Sequence, residues 1–382
     1  MDYFFEFPKI TDLTEDQQMA VYEVDPIAIS GGAGTGKTVV SLWRHIQNME
    51  VLDKSSFLVT YTKTLGYYLS MAVKNYMILK YQEENIYFPS NNKVFNIKTF
   101  PFTRGGRIDE IIIDEAQDFT FSKLQEIKNH GKNISYGADF NQQLYFPAVT
   151  EDEIKNLFPA NIEYNLQQNF RNTYHILNFT KAALPNFCIP QNTLDELRDK
   201  NTIGTKPILV ICDNFKKEIE KIIEIINEFK SDRHNIAILL PFGKDTFTNG
   251  RFVKDSVENY YKALSKRGIN CSRYFNKMET DNVIISNVHI TTYKSAKGLE
   301  FDTVIMPCMD KFQSYIKKGF FPRKINEEDY YVAFTRAKRN LYLLSSKKLN
   351  FIDNSICEIE FLTNQHNNNI VEIDIDDDEI PF

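Results

Sequence analysis

The run Gly31-Gly32-Ala33-Gly34-Thr35-Gly36-Lys37-Thr38 constrains this chain more than any other feature. It fits G-x-x-x-x-G-K-[ST]. A short apolar run over 27–30 precedes it, and helical periodicity over 39–49 follows. Glycines let the backbone bend so that successive N–H groups face one anion, and the start of a helix adds a dipole of the right sign. In that setting Lys37 reaches the β and γ phosphates of a nucleotide, and Thr38 holds Mg²⁺ through its hydroxyl. Such a loop needs a strand behind it and a helix after it, so it calls for an α/β sheet.

The rest of the chain repeats that rhythm. Apolar runs over 56–61, 94–99, 110–114 and 134–138 predict strands, with a helix over 65–80. Further strands are expected over 161–166, 207–212, 236–240, 289–293, 303–306 and 341–345. Helices are expected over 173–184, 216–229, 253–267 and 327–338. Strands alternating with helices predict parallel sheets covered on both faces. The 382 residues suit about two domains. The boundaries are drawn at 1–160, 161–348 and a polar linker with an acidic tail over 349–382.

Asp114-Glu115 closes the apolar run 111–113. A strand end delivers carboxylates to the mouth of an α/β sheet, where ligands bind. Asp114 suits a Mg²⁺ partner, and Glu115 can polarise an attacking water.

With Ala116-Gln117-Asp118 added, the segment resembles motif II of superfamily 1 helicases of the UvrD/Rep type. Eight more segments follow that family's order. Leu13-Thr14-Glu15-Asp16-Gln17 resembles its Q motif, the glycine-rich loop its phosphate loop, and Leu58-Val59-Thr60-Tyr61-Thr62 its motif Ia. Lys98-Thr99-Phe100 resembles motif Ib. Ala138-Asp139-Phe140-Asn141-Gln142-Gln143-Leu144-Tyr145 resembles motif III, and Gln168-Asn169-Phe170-Arg171 motif IV. Motif V is matched from Thr292 to Phe301, including Lys297-Gly298-Leu299-Glu300, and motif VI by Tyr331-Val332-Ala333-Phe334-Thr335-Arg336-Ala337.

The resemblance implies two tandem RecA-like domains that trap ATP and Mg²⁺ between them, and movement along single-stranded DNA from 3′ to 5′. It implies that Gln17 reads adenine and Phe170 stacks on it, that Glu300 touches the nucleotide site, and that Gln142 couples the γ-phosphate to the nucleic-acid groove. Arg171 and Arg336 would meet the γ-phosphate from the second domain, and such fingers are worth roughly 10³–10⁵ in rate. Tyr61, Phe100, Tyr145 and Phe146 would stack on bases, although with 30 Phe and 20 Tyr most rings belong to cores. Thr60, Thr99 and Thr292 would bind phosphate oxygens.

The chain also departs from the family. Lys37 and Asp114 stand only 77 positions apart, where relatives insert an accessory domain. The stretch from Arg171 to Thr292 is too short for the second insertion. Val39, Pro101 and Lys294 replace an arginine and two histidines. A bare core leaves two readings: a motor, or an ATP-dependent switch that recruits partners without unwinding.

Charge is placed unevenly. The net charge is −6, yet the last twelve residues, VEIDIDDDEIPF, carry six acidic groups and no basic one. Without them the body is neutral, which permits a local basic groove. The end, with Asp376, Asp377, Asp378, Ile380, Pro381 and Phe382, resembles the tip of bacterial single-stranded-DNA-binding proteins. It implies docking to proteins that recognise that tip: a terminal ring fills a pocket, and acidic residues steer it to a basic rim. The five cysteines form no C-x-x-C, which fits a reducing cytoplasm. No apolar run nears the roughly 18 residues of a membrane span.

Overall fold

The computed structural model describes residues 2–5, 7–81, 93–101, 107–145, 147–187, 189–200, 202–248, 251–276, 278, 284–318 and 325–362. The acidic tail, Phe146 and Cys188 lie outside them.

Two parallel sheets organise the chain. The first holds β1 (Ile27–Gly31), β2 (Ser56–Thr60), β3 (Val94–Asn96), β4 (Ile108–Asp114), β5 (Gly131–Gly137) and β6 (Ile162–Leu166), in the order β3-β2-β4-β5-β1-β6. The second uses β7 (Ile208–Cys212) and β8 (Ile236–Leu240). After the hairpin of β9 (Thr246–Thr248) and β10 (Arg251–Val253) come β11 (Ser272–Tyr274), β12 (Val288–Thr292), β13 (Phe301–Met306), β14 (Ala337–Ser345) and β15 (Glu358–Leu362). Its order is β11-β12-β8-β13-β14-β7-β15. Helices cover both faces of each sheet, so inner strands such as β8 and β13 are buried at every position. That is why they read as unbroken apolar runs and not as alternations. These are the covered parallel sheets that the strand–helix rhythm predicts, in the tandem RecA-like arrangement that the resemblance implies.

Three boundaries move. The strand expected to open the second domain, β6, pairs in parallel with β1, from Ile27 opposite Ile162 to Gly31 opposite Leu166. The first domain therefore runs through Leu166. At the other end, β15 pairs with β7, so the second domain reaches Leu362 rather than 348. The helix expected over 327–338 stops at Phe334, because Ala337 already pairs with Phe301 as the start of β14.

The helices follow from local chemistry. In Phe215–Phe229 the buried residues Ile219, Ile222, Ile225 and Ile226 recur at helical spacing, and the Asn214 side chain accepts from the Lys217 N–H at 3.0 Å. The helix expected over 253–267 begins only at Val257, because Val253 closes the hairpin and Ser256 caps the helix.

The first domain also buries a polar bolt. Arg44, on α2 (Lys37–Glu50) after α1 (Glu15–Tyr22), is 2% exposed. Its Nε donates to Glu110 Oε1 at 2.7 Å, and its Nη atoms donate to the carbonyls of Glu23 and Asp25 at 2.7 and 2.8 Å. Asn48 Nδ2 donates to Glu110 Oε2 at 2.6 Å. Both charges are fully bonded, but removal of one strands the other in a low-dielectric interior. Arg44→Ala should therefore cost about 3–5 kcal/mol, read as a lower urea midpoint, and Glu110→Gln should cost less because the amide still accepts one bond.

Candidate nucleotide site and nucleic-acid groove

β1 ends at Gly31, and α2 begins at Lys37, so the glycine-rich loop bridges a strand and a helix start as its pattern requires. Gly34 and Gly36 have φ of 75° and 88°, left-handed values that only glycine adopts without cost. A side chain at Gly34 would also meet Arg171 Cβ at 2.8 Å, so the second domain packs directly on the loop. Lys37 Nζ donates to the Gly31 and Gly32 carbonyls, both at 2.8 Å, which curls the ammonium over the loop.

Thr38 Oγ1 donates to Asp114 Oδ2 at 2.9 Å, and Ser41 Oγ donates to Oδ1 at 3.3 Å. Such a hydroxyl beside a strand-end carboxylate would hold a nucleotide-bound Mg²⁺, with phosphates and water supplying its other ligands. Burial, then the neighbouring Glu115 charge, raises the Asp114 pKa. Glu115 goes the other way. Burial opposes its ionisation, but Lys297 and then Lys37 outweigh it and hold the carboxylate charged. Glu115 also sits at φ 58°, ψ 46°, left-handed for a residue with a side chain. Gln117 fixes it by donating Nε2 to its Oε2.

The second domain supplies cations. Arg336, 1% exposed, donates Nη2 to Gln142 Oε1 at 2.9 Å and Nε to the Val332 carbonyl at 3.0 Å. It makes no ion pair among the described residues. Burial, then Arg171, lowers its pKa, yet the guanidinium keeps its proton at neutral pH. Such a buried, uncompensated cation favours an incoming anion. Arg171 is paired instead: its Nε donates to Glu300 Oε1 at 2.7 Å. Gln142 joins the two domains. It accepts from Arg336, its Nε2 donates to Asp139 Oδ2, and its carbonyl accepts from Lys297.

These groups line a cleft of about 470 Å³, with Lys37, Thr38, Glu115, Gln142, Arg171 and Arg336 on its walls. Glu300 and the half-exposed Phe170 line it too, and the Phe170 N–H donates to the Gly34 carbonyl at 2.9 Å. Gln17 does not line it. Its Oε1 accepts the Thr14 N–H at 3.0 Å as part of a capping box on α1, and its Nε2 donates to the Thr35 carbonyl at 3.0 Å. Gln17 here braces the phosphate loop; both ends of the amide that was expected to read a base are engaged.

Sequence reasoning quoted Lys297 only as part of a motif. The structure buries it to 1% and sets its Nζ 2.7 Å from Asp118 and 3.5 Å from Glu115. Its place two residues after the Ser295 turn, beside glycine, carried no signal that it crosses to the other domain.

A second cavity, of about 240 Å³, lies between the domains. Tyr61 and Tyr145 line it with ring centroids 4.6 Å apart, and so do Lys63, Lys98, Tyr274 and Asn276. Tyr145 Oη donates to the Lys294 carbonyl of the second domain at 3.4 Å. Other expected contacts face elsewhere. Phe100 is 4% exposed and packs against Phe57 and Phe95, because the turn after β3 folds it into the first core. Thr60 Oγ1 donates to the Thr62 carbonyl, and Thr292 Oγ1 accepts from the Ser295 N–H, so both hydroxyls tie their own turns. Thr99 Oγ1 donates to the Asn96 carbonyl in an exposed turn.

Fold and site together define a P-loop protein with two RecA-like domains meeting over one cleft. Residues 257–348 match the family described as the UvrD-like helicase C-terminal domain. A protein of Acanthamoeba polyphaga mimivirus described as an ATP-dependent DNA helicase is 29% identical over 251 residues, 62% of this chain. The chain spans about a third of that relative's length (34%). These matches agree with the nine ordered motifs, which resemble those of the UvrD/Rep type of superfamily 1. Among solved structures, the C-terminal domain of a possible DNA helicase from Lactobacillus plantarum matches 50% of this chain and 98% of its own, at 22% identity and a TM-score of 0.35. Arterivirus nonstructural protein 10, a helicase in complex with DNA, matches 86% of this chain and 62% of its own, at 15% identity and a TM-score of 0.40.

Lys297→Met keeps the stem and removes the charge that holds Glu115 ionised and in place. Nucleotide hydrolysis should fall roughly 10²-fold or more, while nucleotide affinity, measured by calorimetry, should change less than about threefold.

Proposed function

We propose that the chain is a DNA-stimulated ATPase that steps along single-stranded DNA. The observation that carries this reading is convergence: Lys37, Thr38 and Glu115 of the first domain line one cleft with Arg171 and Arg336, and Asp114 stands behind Thr38, accepting its hydroxyl. Bound there, ATP would bring Mg²⁺ against Thr38 and Asp114, and its phosphates would give the buried Arg336 an anionic partner. Glu115, kept charged by Lys297, is poised to accept a proton from the attacking water. Arg171 would meet the γ-phosphate by turning from Glu300.

The same residues link hydrolysis to movement. Gln142 touches Arg336 and Lys297, while Tyr145, three residues on, lines the second cavity beside Tyr61. A change in γ-phosphate contact therefore reaches the stacking rings through one short segment. Loss of that phosphate frees the second domain to shift, and repeated closure gives stepping. The family resemblance supports a 3′ to 5′ direction. The acidic end over 376–382 fits a docking tip for proteins that recognise single-stranded-DNA-binding proteins, and loss of Ile380–Phe382 should abolish that binding in a pull-down.

The test is an ATPase assay with and without single-stranded DNA, followed by unwinding of forked duplexes with either tail polarity. Turnover should rise with DNA, and Lys37→Ala and Arg336→Ala should each lower it by roughly 10³-fold or more. Tyr61→Ala and Tyr145→Ala should each raise the DNA concentration for half-maximal stimulation by about 5- to 100-fold, from stacking worth about 1–3 kcal/mol per base. DNA-independent turnover would sink the motor. Stimulation without unwinding would leave a translocase or switch, which the short path from Lys37 to Asp114 favours.

A further inference from the structure

Residues 2–4 and 7–9 lie against different domains. Asp2 forms an antiparallel bridge with Ser286, and the Tyr3 N–H donates to the Ile285 carbonyl at 3.3 Å. Phe4 is held on both sides: its N–H donates to Asn235 Oδ1 at 2.9 Å, and its carbonyl accepts from Asn235 Nδ2 at 2.7 Å. Asn235 is itself buried and immediately precedes β8. The Tyr3 hydroxyl donates to the Glu300 carbonyl, and its ring stands 5.8 Å from that of Phe301. Residues 2–4 thus belong to the second domain.

Three residues after Phe4 the chain belongs to the first. Phe7 stacks on Trp43 of α2 with centroids 5.2 Å apart, and the Pro8 carbonyl accepts from Trp43 Nε1 at 3.1 Å. Between these anchors, Phe5 packs against both domain cores and lies 5.3 Å from Tyr68 of α3 (Lys63–Tyr81). Phe7, Pro8 and Lys9 then line the nucleotide cleft.

We propose that residues 2–9 are a second tether between the two domains, which limits how far the nucleotide cleft opens, with Tyr3 and Asn235 as positioning residues for the closed state. The reach of the chain carries the argument. From Phe4 to Phe7 three peptide units span at most about 11 Å. The other connection along the chain runs from Leu166 at the end of β6 to Tyr174 at the next helix start. Two fixed points leave one easy relative motion, a rotation about the line joining them. Separation of the domains at the strap would require one anchor to detach. Because Tyr3 holds the carbonyl of Glu300, whose carboxylate holds Arg171, the strap also fixes the wall of the cleft that carries an arginine finger.

This inference rests on nucleotide binding in the cleft, yet its first readout needs no hydrolysis. A Gly-Ser-Gly-Ser insertion after Glu6 leaves both anchors intact and removes only the length limit. Small-angle scattering without nucleotide should show the radius of gyration rise by on the order of 1 Å over a globular value near ~21 Å, and a non-hydrolysable ATP analogue should restore it. Tyr3→Ala should do the same by freeing an anchor, and Tyr3→Phe, which keeps the ring, should largely rescue it. In steady state both the insertion and Tyr3→Ala should raise KM for ATP by roughly 3- to 10-fold, as the closed fraction falls, with kcat within about twofold. The single tryptophan, Trp43, gives a native check, since its emission should keep the wild-type value in the insertion variant if the Phe7 anchor holds. An unchanged radius and KM in the insertion variant, with the melting temperature preserved, would overturn the tether whether or not the chain hydrolyses ATP.

Discussion

A buried guanidinium beside neutral partners is the interaction on which this structure turns. Arg336 is sealed between the domains, touching an amide and two carbonyls, with a second arginine as its neighbour. Taking such a charge out of water is costly unless something anionic repays it. Among the described residues, nothing on the second domain does so by contact. The carboxylates within reach of its field lie across the cleft or already pair elsewhere, as Glu115 and Glu300 do. The arrangement makes sense as a site built for a polyanion and held ready at the junction of two sheets.

The sheets explain why the junction is possible. In both domains the loops that matter leave the C-terminal ends of parallel strands: the phosphate loop after β1, Asp114-Glu115 after β4, and the Lys297 turn after β12. Strand ends of one sheet facing those of the other place short side chains within bonding distance across the gap. Lys297 and Gln142 exploit this directly, since neither needs more than its own length to reach the opposite domain.

Much of this was legible in the residues. The glycine-rich loop announced its strand, helix and lysine, and unbroken apolar runs announced buried parallel strands. What failed, failed for physical reasons. β6 belongs to the first sheet because its partner is the strand that carries the phosphate loop, and pairing partners are not written in a strand's own composition. Phe100 looked like a base-stacking ring, but aromatic residues serve cores as readily as grooves, and a turn decides which. Gln17 looked like a base reader; its spacing from Thr14 equally makes a helix cap, and the cap is what forms. Lys297 went unassigned because a lysine that crosses an interface looks like any other until the second domain is folded.

Glu115 carries a further consequence. A residue with a Cβ in the left-handed region gives up about 1 kcal/mol or more relative to glycine there, and this one is also buried beside another carboxylate. The fold tolerates that tension only because Lys297 and Gln117 clamp the side chain. On the proposed ATPase reading, selection for turnover keeps the molecule below its attainable thermal robustness at this spot. A chain drifting without that selection would be free to replace the glutamate with glycine or asparagine, and would emerge sturdier and inert.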